Sequence, residues 1–302
     1  MQVYHPSEDE QFRQRNKLLQ ACLRPEPLPF AIEQEYPIVL AAGGRAFSFC
    51  QDHLGKICSH ANLWPRKVID LKGKEICSIG LVGNVATDPD FRGHGHMRNL
   101  LGEIEKIASD LDLCALVLWS DLSPFYHKLG YRSLGKEYRI LFEKSRRSHP
   151  SKDELLHLTN PARDLQPSII KAMFELRPAV PLTLARDQDE FMRLLSIPWL
   201  EVFLLLRDKR PVAYALLGKG YDMAGVVHEW GAGNFEDLSS LLDAVCRALE
   251  QDEVLLLAPA KDSPQWFSKY PREEVPMALV KILQPKMEKE LEELFVWGLD
   301  SI

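Results

Sequence analysis

The residues with the clearest chemical meaning lie together in the segment Val85–Leu101, which reads VATDPDFRGHGHMRNLL. It combines potentially cationic side chains with glycines that separate them, namely Arg92, His94, His96 and Arg98 with Gly93 and Gly95. Glycine lets backbone N–H groups approach an anion closely, and the N-terminus of a helix attracts negative charge. Because the start of a helix normally favours acidic side chains, positive ones there indicate a bound anion such as a phosphate.

Other interpretations of this segment are weaker. The dinucleotide fingerprint G-x-G-x-x-G and the P-loop pattern G-x-x-x-x-G-K-[ST] are both absent from it. His94 and His96 could be taken for a pair of metal ligands, but their i, i+2 spacing around Gly95 argues against it, so we expect no metal site. The segment therefore predicts a different kind of phosphate-binding loop.

Regular elements on both sides must position this loop. The apolar run Glu75–Thr87 predicts a strand before it, and an apolar stripe with helical spacing predicts a helix over Arg92–Leu111. A continuous apolar run, Leu113–Trp119, is typical of a strand covered on both faces. A short helix, Ser123–Leu129, and a strand, Tyr138–Phe142, complete the unit.

Two motifs in this unit resemble those of the GNAT superfamily of N-acetyltransferases. Residues 92–97, RGHGHM, resemble its acyl-CoA-binding motif Q/R-x-x-G-x-G/A, with Met97 where Gly or Ala is usual. Residues 125–131, FYHKLGY, are similar to its F-Y-x-K-x-G-[FY] motif. The two motifs stand in the family's order, and the resemblance covers roughly residues 36–143.

The resemblance implies a fold and a cofactor site. The expected fold is mixed α/β, a mostly antiparallel sheet with flanking helices, in which the fourth and fifth strands splay apart. Acetyl-CoA would be the co-substrate, with pantetheine along the fourth strand and the pyrophosphate on the loop that follows. The implied cofactor-binding residues are Val85, Ala86, Thr87, Arg92, Gly93, His94, Gly95, His96, Met97, Arg98 and Ser123, and Ser123 is more simply explained as the N-cap of the short helix.

The resemblance also implies a reaction, the transfer of an acetyl group to a primary amine. The leaving thiolate benefits from a proton donor, and Tyr126 in the second motif is predicted to be that general acid. The general base stays open. Candidate bases are Glu75, Asp52, His53 and His60, a chain of water molecules, or a carboxylate at Ile302, because the apolar tail FVWGLDSI resembles the ends of tandem acetyltransferases of the Eis type.

The second half repeats the strand and helix order of the first, which predicts two GNAT-like domains. The basic stretch Lys144–Pro150 suggests a division into residues 1–148 and 149–302. In the second copy the loop reads GAGNFED over residues 231–237, without arginine and with two acids, and Trp266 and Phe267 stand near the place of Tyr126. We therefore expect that the second domain has lost acyl-CoA binding.

Composition limits the remaining classes of function and partner. The formal net charge of −6 favours neither nucleic acid nor an anionic membrane as a partner, and no apolar run has the length of a membrane span. Six scattered cysteines predict reduced thiols and a cytoplasmic protein. The acceptor is expected to be a small-molecule or peptide amine, and homo-oligomers are possible. The acceptor's identity and the acyl length stay open, and a non-catalytic acyl-CoA-binding or regulatory protein is the alternative.

Overall fold

The computed structural model describes residues 3–24, 26–145, 153–260 and 265–302. The strands up to residue 143 are β1 (Val3–Tyr4), β2 (Ser48–His53), β3 (Lys56–Asp70), β4 (Glu75–Thr87), β5 (Ala115–Leu118), β6 (Arg132–Leu134) and β7 (Glu137–Glu143). The helices of this part are α1 (Asp9–Leu23), α2 (Ile32–Glu35), α3 (His96–Asp110) and α4 (Ser123–His127), with 3₁₀ turns at Ala42–Phe47 and Pro89–Phe91.

The remaining elements follow in the second half. Its strands are β8 (Glu154–Leu158), β9 (Leu182–Leu184), β10 (Glu201–Arg207), β11 (Arg210–Leu217), β12 (Val226–Ala232), β13 (Glu253–Pro259), β14 (Arg272–Val275) and β15 (Ala278–Ile282). Its helices are α5 (Pro161–Asp164), α6 (Pro167–Leu176), α7 (Gln188–Leu194), α8 (Phe235–Ala248) and α9 (Glu288–Leu291), with 3₁₀ turns at Pro285–Met287 and Gly298–Asp300.

Two mostly antiparallel sheets with flanking helices form the fold, which confirms the predicted class. The first sheet has the order β1-β2-β3-β4-β5-β15-β6, with β9 paired to β3, and the second has the order β14-β7-β13-β12-β11-β10-β8. In the described chain, the parallel neighbours within these sheets are β4 with β5 and β12 with β13. Each parallel pair is connected through one amphipathic helix, α3 or α8, whose apolar face is buried. This shared arrangement supports a tandem of two similar units.

The two sheets exchange strands. β7 comes from the first half but pairs with β13 along seven residues of the second sheet. β15 comes from the second half and lies between β5 and β6 of the first sheet. The strand predicted at Tyr138–Phe142 therefore exists but lies in the second sheet, and the apolar segment Met277–Leu283, whose pattern also predicts a strand, contains β15 of the first sheet. The division at residues 148 and 149 stays a prediction, and that boundary falls outside the described residues.

Some predicted element bounds are wrong. α3 begins at His96 rather than Arg92, because Gly95 ahead of it adopts a left-handed conformation. The sequence also predicts a short helix over Ser263–Tyr270, but residues 263 and 264 lie outside the described residues and 265–269 form turns. The charged segment Lys286–Glu293 forms a 3₁₀ turn followed by the four residues of α9.

A buried ionic network joins the two sheets and the C-terminal tail. Arg186 is fully buried and donates two hydrogen bonds to Glu229 on β12, at 3.1 and 2.8 Å, and two to Asp300, at 2.9 and 2.6 Å. Arg66 on β3 lies 3.6 Å from Asp300 and 2.6 Å from Glu190. Burial alone would raise the pKa of Asp300, but the positive charges of Arg186 and Arg66 lower it below its ordinary value.

Removing the central guanidinium tests this network. We expect Arg186→Met to lower the free energy of unfolding by about 3–5 kcal/mol, because it leaves Glu229 and Asp300 buried without a full counter-charge. Urea denaturation followed by circular dichroism measures the change. Arg13→Met, which removes an exposed ion pair with Glu10, is the control and should lower the free energy of unfolding far less. Equal losses for the two variants would contradict the proposed importance of the buried network.

Candidate active site

The divergence of β4 from β5 opens a groove in the first sheet. The two strands are in register at Gly80–Leu116 and Leu81–Val117 and then separate. Beyond that point β4 remains paired with β3 on its other edge, through Ala86 and Thr87 among others. The edge of β4 that faces the gap therefore offers its backbone groups to a ligand. A cavity of about 690 Å³ lies beside the end of β4, with Val85, Ala86 and Thr87 in its wall.

The loop before α3 forms one end of this cavity. Gly93 and Gly95 have φ angles of +83° and +80°, which favour glycine, and a side chain added at either would meet no atom within 4 Å. Gly95 is the N-cap of α3, and the first turn of the helix has neither a side-chain cap nor an acidic residue. The free N–H groups of the helix start therefore have no anionic partner in the described chain, as an anion-binding site requires.

The cationic side chains around this loop have different placements. Arg92 is exposed, precedes the helix and donates from Nε to the Thr87 carbonyl at 3.2 Å. Arg92, His96, Met97 and Arg98 line the cavity, whereas His94 does not. His94 is exposed, and its Nδ1 lies 3.4 Å from the Phe91 carbonyl. Burial, together with the nearby charge of His94, lowers the pKa of His96, so this ring faces the groove in its neutral form near pH 7.

Tyr126 on α4 lies where two cavities meet. It lines the groove and also a second cavity of about 550 Å³. Its side chain is buried, and burial raises its pKa to about 12, with a hydrogen bond to Ser120 acting in the opposite direction. The phenol is therefore protonated at any ordinary pH.

Ser123 does not have the predicted position. The N-cap of α4 is Leu122, and Ser123 is the first residue of the helix, where it makes no capping hydrogen bond. Ser123 is also absent from the residues that line the two cavities. The hydroxyl that reaches this region is Ser120, which accepts a hydrogen bond from the backbone N–H of Leu122 at 3.1 Å.

The second cavity has walls from both halves of the chain. Its polar and charged lining residues are Arg24, Glu35, Tyr36, Asn84, Ser120, Asp121, Lys219, Asp222 and Ser301. Sequence analysis missed this set, apart from the position of the tail, because its members are up to 277 residues apart and follow no local motif. Buried hydrogen-bonding side chains such as Arg24 leave no periodic signal in a sequence.

The side chains predicted as bases do not lie at this site. Glu75, Asp52 and His53 do not line either cavity. His60 is fully buried, its Nδ1 lies 2.9 Å from the Asn84 carbonyl, and burial lowers its pKa to about 3. Ile302 does reach the second cavity, where a side chain at Gly83 would meet its carbonyl carbon at 2.6 Å. A role for a carboxylate at Ile302 stays a prediction.

The corresponding gap in the second sheet contains aromatic side chains. Trp230 on β12 donates from Nε1 to the Leu257 carbonyl on β13 at 2.9 Å and so bridges the two strands. Its ring centroid lies 5.9 Å from that of Trp266 and 5.5 Å from that of Phe267. Asn234 caps α8 by accepting a hydrogen bond from the N–H of Asp237 at 2.9 Å. This helix start is therefore already satisfied by the chain itself.

Comparison with known proteins agrees with this geometry. Residues 3–134 match the sequence profile of the acetyltransferase (GNAT) domain. A search of curated proteins found no match. The fold is similar to that of a conserved protein from Enterococcus faecalis V583, with a TM-score of 0.69, 14% identity, and coverage of 94% of this chain and 73% of the other.

Two further solved structures have similar folds. A GCN5-related N-acetyltransferase from Anabaena variabilis has a TM-score of 0.65 and 14% identity, with 93% of this chain and 73% of the other covered. Eis1 from Mycobacterium abscessus has a TM-score of 0.62 and 13% identity, with 94% and 74% covered.

The fold, the groove and the family match define an acyltransferase that uses a CoA thioester. Within the chain, the GNAT acetyltransferase domain that the profile identifies occupies residues 3–134. Among the described residues, no helix has the length and apolarity needed to cross a membrane, and no cluster of three potential metal ligands occurs.

Binding of CoA to the loop can be tested by removing its guanidinium. We expect Arg92→Ala to raise the Kd for CoA about tenfold, because the loss of a charge-assisted contact with phosphate is not compensated by the backbone. Isothermal titration calorimetry measures the change. Arg163→Ala removes an exposed arginine on α5 that is outside both cavities and should leave the Kd unaltered. An unchanged Kd for Arg92→Ala would refute the assignment of the phosphate site.

Proposed function

We propose that this protein transfers an acetyl group from acetyl-CoA to a primary amine. The observation that carries the proposal is the meeting of the two cavities at Tyr126. The groove beside β4 has the backbone edge and the uncapped helix start that pantetheine and pyrophosphate need, and the second cavity supplies space for an acceptor. Leu23, Val85, Leu122 and Tyr126 line both cavities, so the thioester would lie beside these four side chains.

The groove would hold the cofactor as follows. Val85, Ala86 and Thr87 offer the free edge of β4 to the amides of pantetheine. The pyrophosphate would accept hydrogen bonds from the N–H groups of residues 93–97, with Arg92 and Arg98 adding positive charge. His94 is exposed at the outer side of the loop, so we assign it to the shape of the loop rather than to a contact.

The chemical step is direct attack on the thioester. The amine nitrogen forms a bond to the acetyl carbon, the tetrahedral intermediate collapses, and the carbon–sulfur bond breaks to release the CoA thiolate. The Tyr126 phenol donates a hydrogen bond to the departing sulfur. Because its pKa of about 12 is above that of a thiol, about 8.5, it holds its proton until the reaction releases the amine proton. The phenol then passes its own proton to the sulfur and takes up the proton that the amine releases.

The side chains of the second cavity suggest how the acceptor is deprotonated. The predicted bases on β2, β3 and β4 lie outside this cavity, so we propose that water in the cavity carries the amine proton. The second half of the chain supplies Lys219, Asp222 and Met223 to the cavity wall. Its proposed task is therefore to complete the acceptor site rather than to bind a second CoA.

The role of Tyr126 can be tested with a matched pair of variants. We expect Tyr126→Phe to lower kcat by about 10²–10³-fold with little change in the Kd for acetyl-CoA, because the ring stays and only the proton donor is lost. Release of free thiol in the presence of a panel of amines measures kcat.

Tyr131→Phe is the control. Its hydroxyl is buried without a hydrogen bond, and its ring packs edge-on against that of Tyr126 at 5.6 Å. We expect this variant to keep full activity and stability. If Tyr126→Phe matched it in kcat, Tyr126 would not be the proton donor. If acetyl-CoA bound tightly but no amine released thiol, the protein would instead be an acyl-CoA-binding regulator.

A further inference from the structure

The positive and negative side chains around the second cavity do not balance each other. Arg24 is buried and donates to Glu35 at 2.8 and 3.1 Å and to Oδ2 of Asp222 at 3.0 Å. The Tyr36 hydroxyl donates to the same Oδ2 at 2.6 Å. One guanidinium thus faces two carboxylates. The second oxygen of Asp222, Oδ1, accepts no hydrogen bond from the described residues, and the side chain is half exposed.

The other cationic side chain of the cavity, Lys219, donates its hydrogen bonds to groups of the protein. Lys219 is buried, and its ammonium group donates to the carbonyls of Gly298 and Ser301 and to the Ser301 hydroxyl. All three of its protons are therefore used to hold the C-terminal tail. At the opposite wall, Asp121 is exposed and forms no hydrogen bond with the described residues. The cavity therefore presents available carboxylate oxygens but no available cationic donor.

A second, independent feature indicates a polar ligand. Asn84 lies on β4 with a φ angle of +50°, and its side chain is 6% exposed. Neither Nδ2 nor Oδ1 of its amide has a hydrogen-bond partner among the described residues, and Asn84 lines the second cavity. A buried amide without partners is unfavourable unless a ligand or water satisfies it. Its position on β4 places it beside the point where the two cavities meet.

We propose that the acceptor is a small aliphatic diamine, whose two amino groups are recognised separately. The inference rests on the proposed acetyl transfer. Asp222 holds the ammonium group that does not react, and the Asn84 amide orients the nitrogen that attacks the thioester near Tyr126. Acetylation replaces one N–H bond by an N–C bond, and the displaced proton leaves with the CoA thiol. The product has lost one positive charge, so the site holds it less tightly than the substrate.

Binding of three amines of equal chain length tests the proposal without chemistry. The probes are 1,4-diaminobutane, n-butylamine and 4-aminobutanoate, titrated by calorimetry into the protein saturated with CoA. We expect the diamine to bind at least about fivefold more tightly than butylamine, with aminobutanoate weakest, because a partly exposed ion pair contributes modestly. Butylamine also imitates the side chain of a protein lysine. Equal affinities for the diamine and butylamine would overturn the inference and favour a peptide acceptor.

Variants locate the second charge. Asp222→Asn should bring the ratio of the Kd for butylamine to the Kd for the diamine close to one, and an unaltered Kd for CoA, which binds outside this cavity, shows that the protein is folded. Asp208→Asn, in the exposed turn between β10 and β11 and outside the cavity, is the control and should keep the preference. An undiminished preference in Asp222→Asn would overturn the assignment of this carboxylate.

Thiol release with the same amines separates this inference from the proposed function. Turnover of butylamine and the diamine with equal kcat/KM would overturn the diamine inference and support acetyl transfer. Preferential binding of the diamine without thiol release from acetyl-CoA would overturn acetyl transfer and support the recognition of two charges. Preferential turnover of the diamine supports both.

Discussion

The separation of β4 from β5 after two residue pairs determines what the first sheet can bind. Parallel strands that stayed paired would satisfy each other's backbone groups and leave no gap. Because they separate, one edge of β4 and the start of α3 are available, and Tyr126 on the following helix closes the far side. The loop of residues 93–97, the groove and the proposed proton donor therefore lie around one local departure from regular pairing.

The second sheet has a similar pair of parallel strands but differs in the gap between them and at the helix start. β12 and β13 also separate after two residue pairs, but the Trp230 indole bridges them and Trp266 and Phe267 pack against it. At the helix start, Asn234 and the acids beside it take the place that an anion would occupy. The second half also contributes Lys219, Asp222 and Met223 to the wall of the second cavity, the proposed acceptor site.

Local sequence patterns were sufficient to predict the elements around the proposed cofactor site. The strand Glu75–Thr87 was predicted with its observed bounds, and the glycines of the loop indicated the helix start to within four residues. Tyr126 followed from its motif. Capping of α4 by Ser123 was wrong, because the backbone of Leu122 starts that helix one residue earlier. Such differences depend on a few dihedral angles, which composition and periodicity do not specify.

The pairing of strands that are far apart in the chain could not be predicted from the sequence. An apolar strand such as β15 fits either sheet by its pattern, and the choice depends on which edge the rest of the fold leaves open. The second cavity, the proposed acceptor site, could not be predicted from the sequence for the same reason. Arg24 and Asp222 are almost two hundred residues apart and form an ion pair through contacts between the two halves, which no spacing rule anticipates.

The exchange of β7 and β15 makes each half depend on the other for backbone partners. A polypeptide ending near residue 145 would contain every residue of the proposed cofactor site, yet β5 and β6 would have lost the strand that lies between them. Exposed strand edges of this kind recruit other chains. A first half that folded separately would therefore require a new strand in the place of β15, which the second half now supplies.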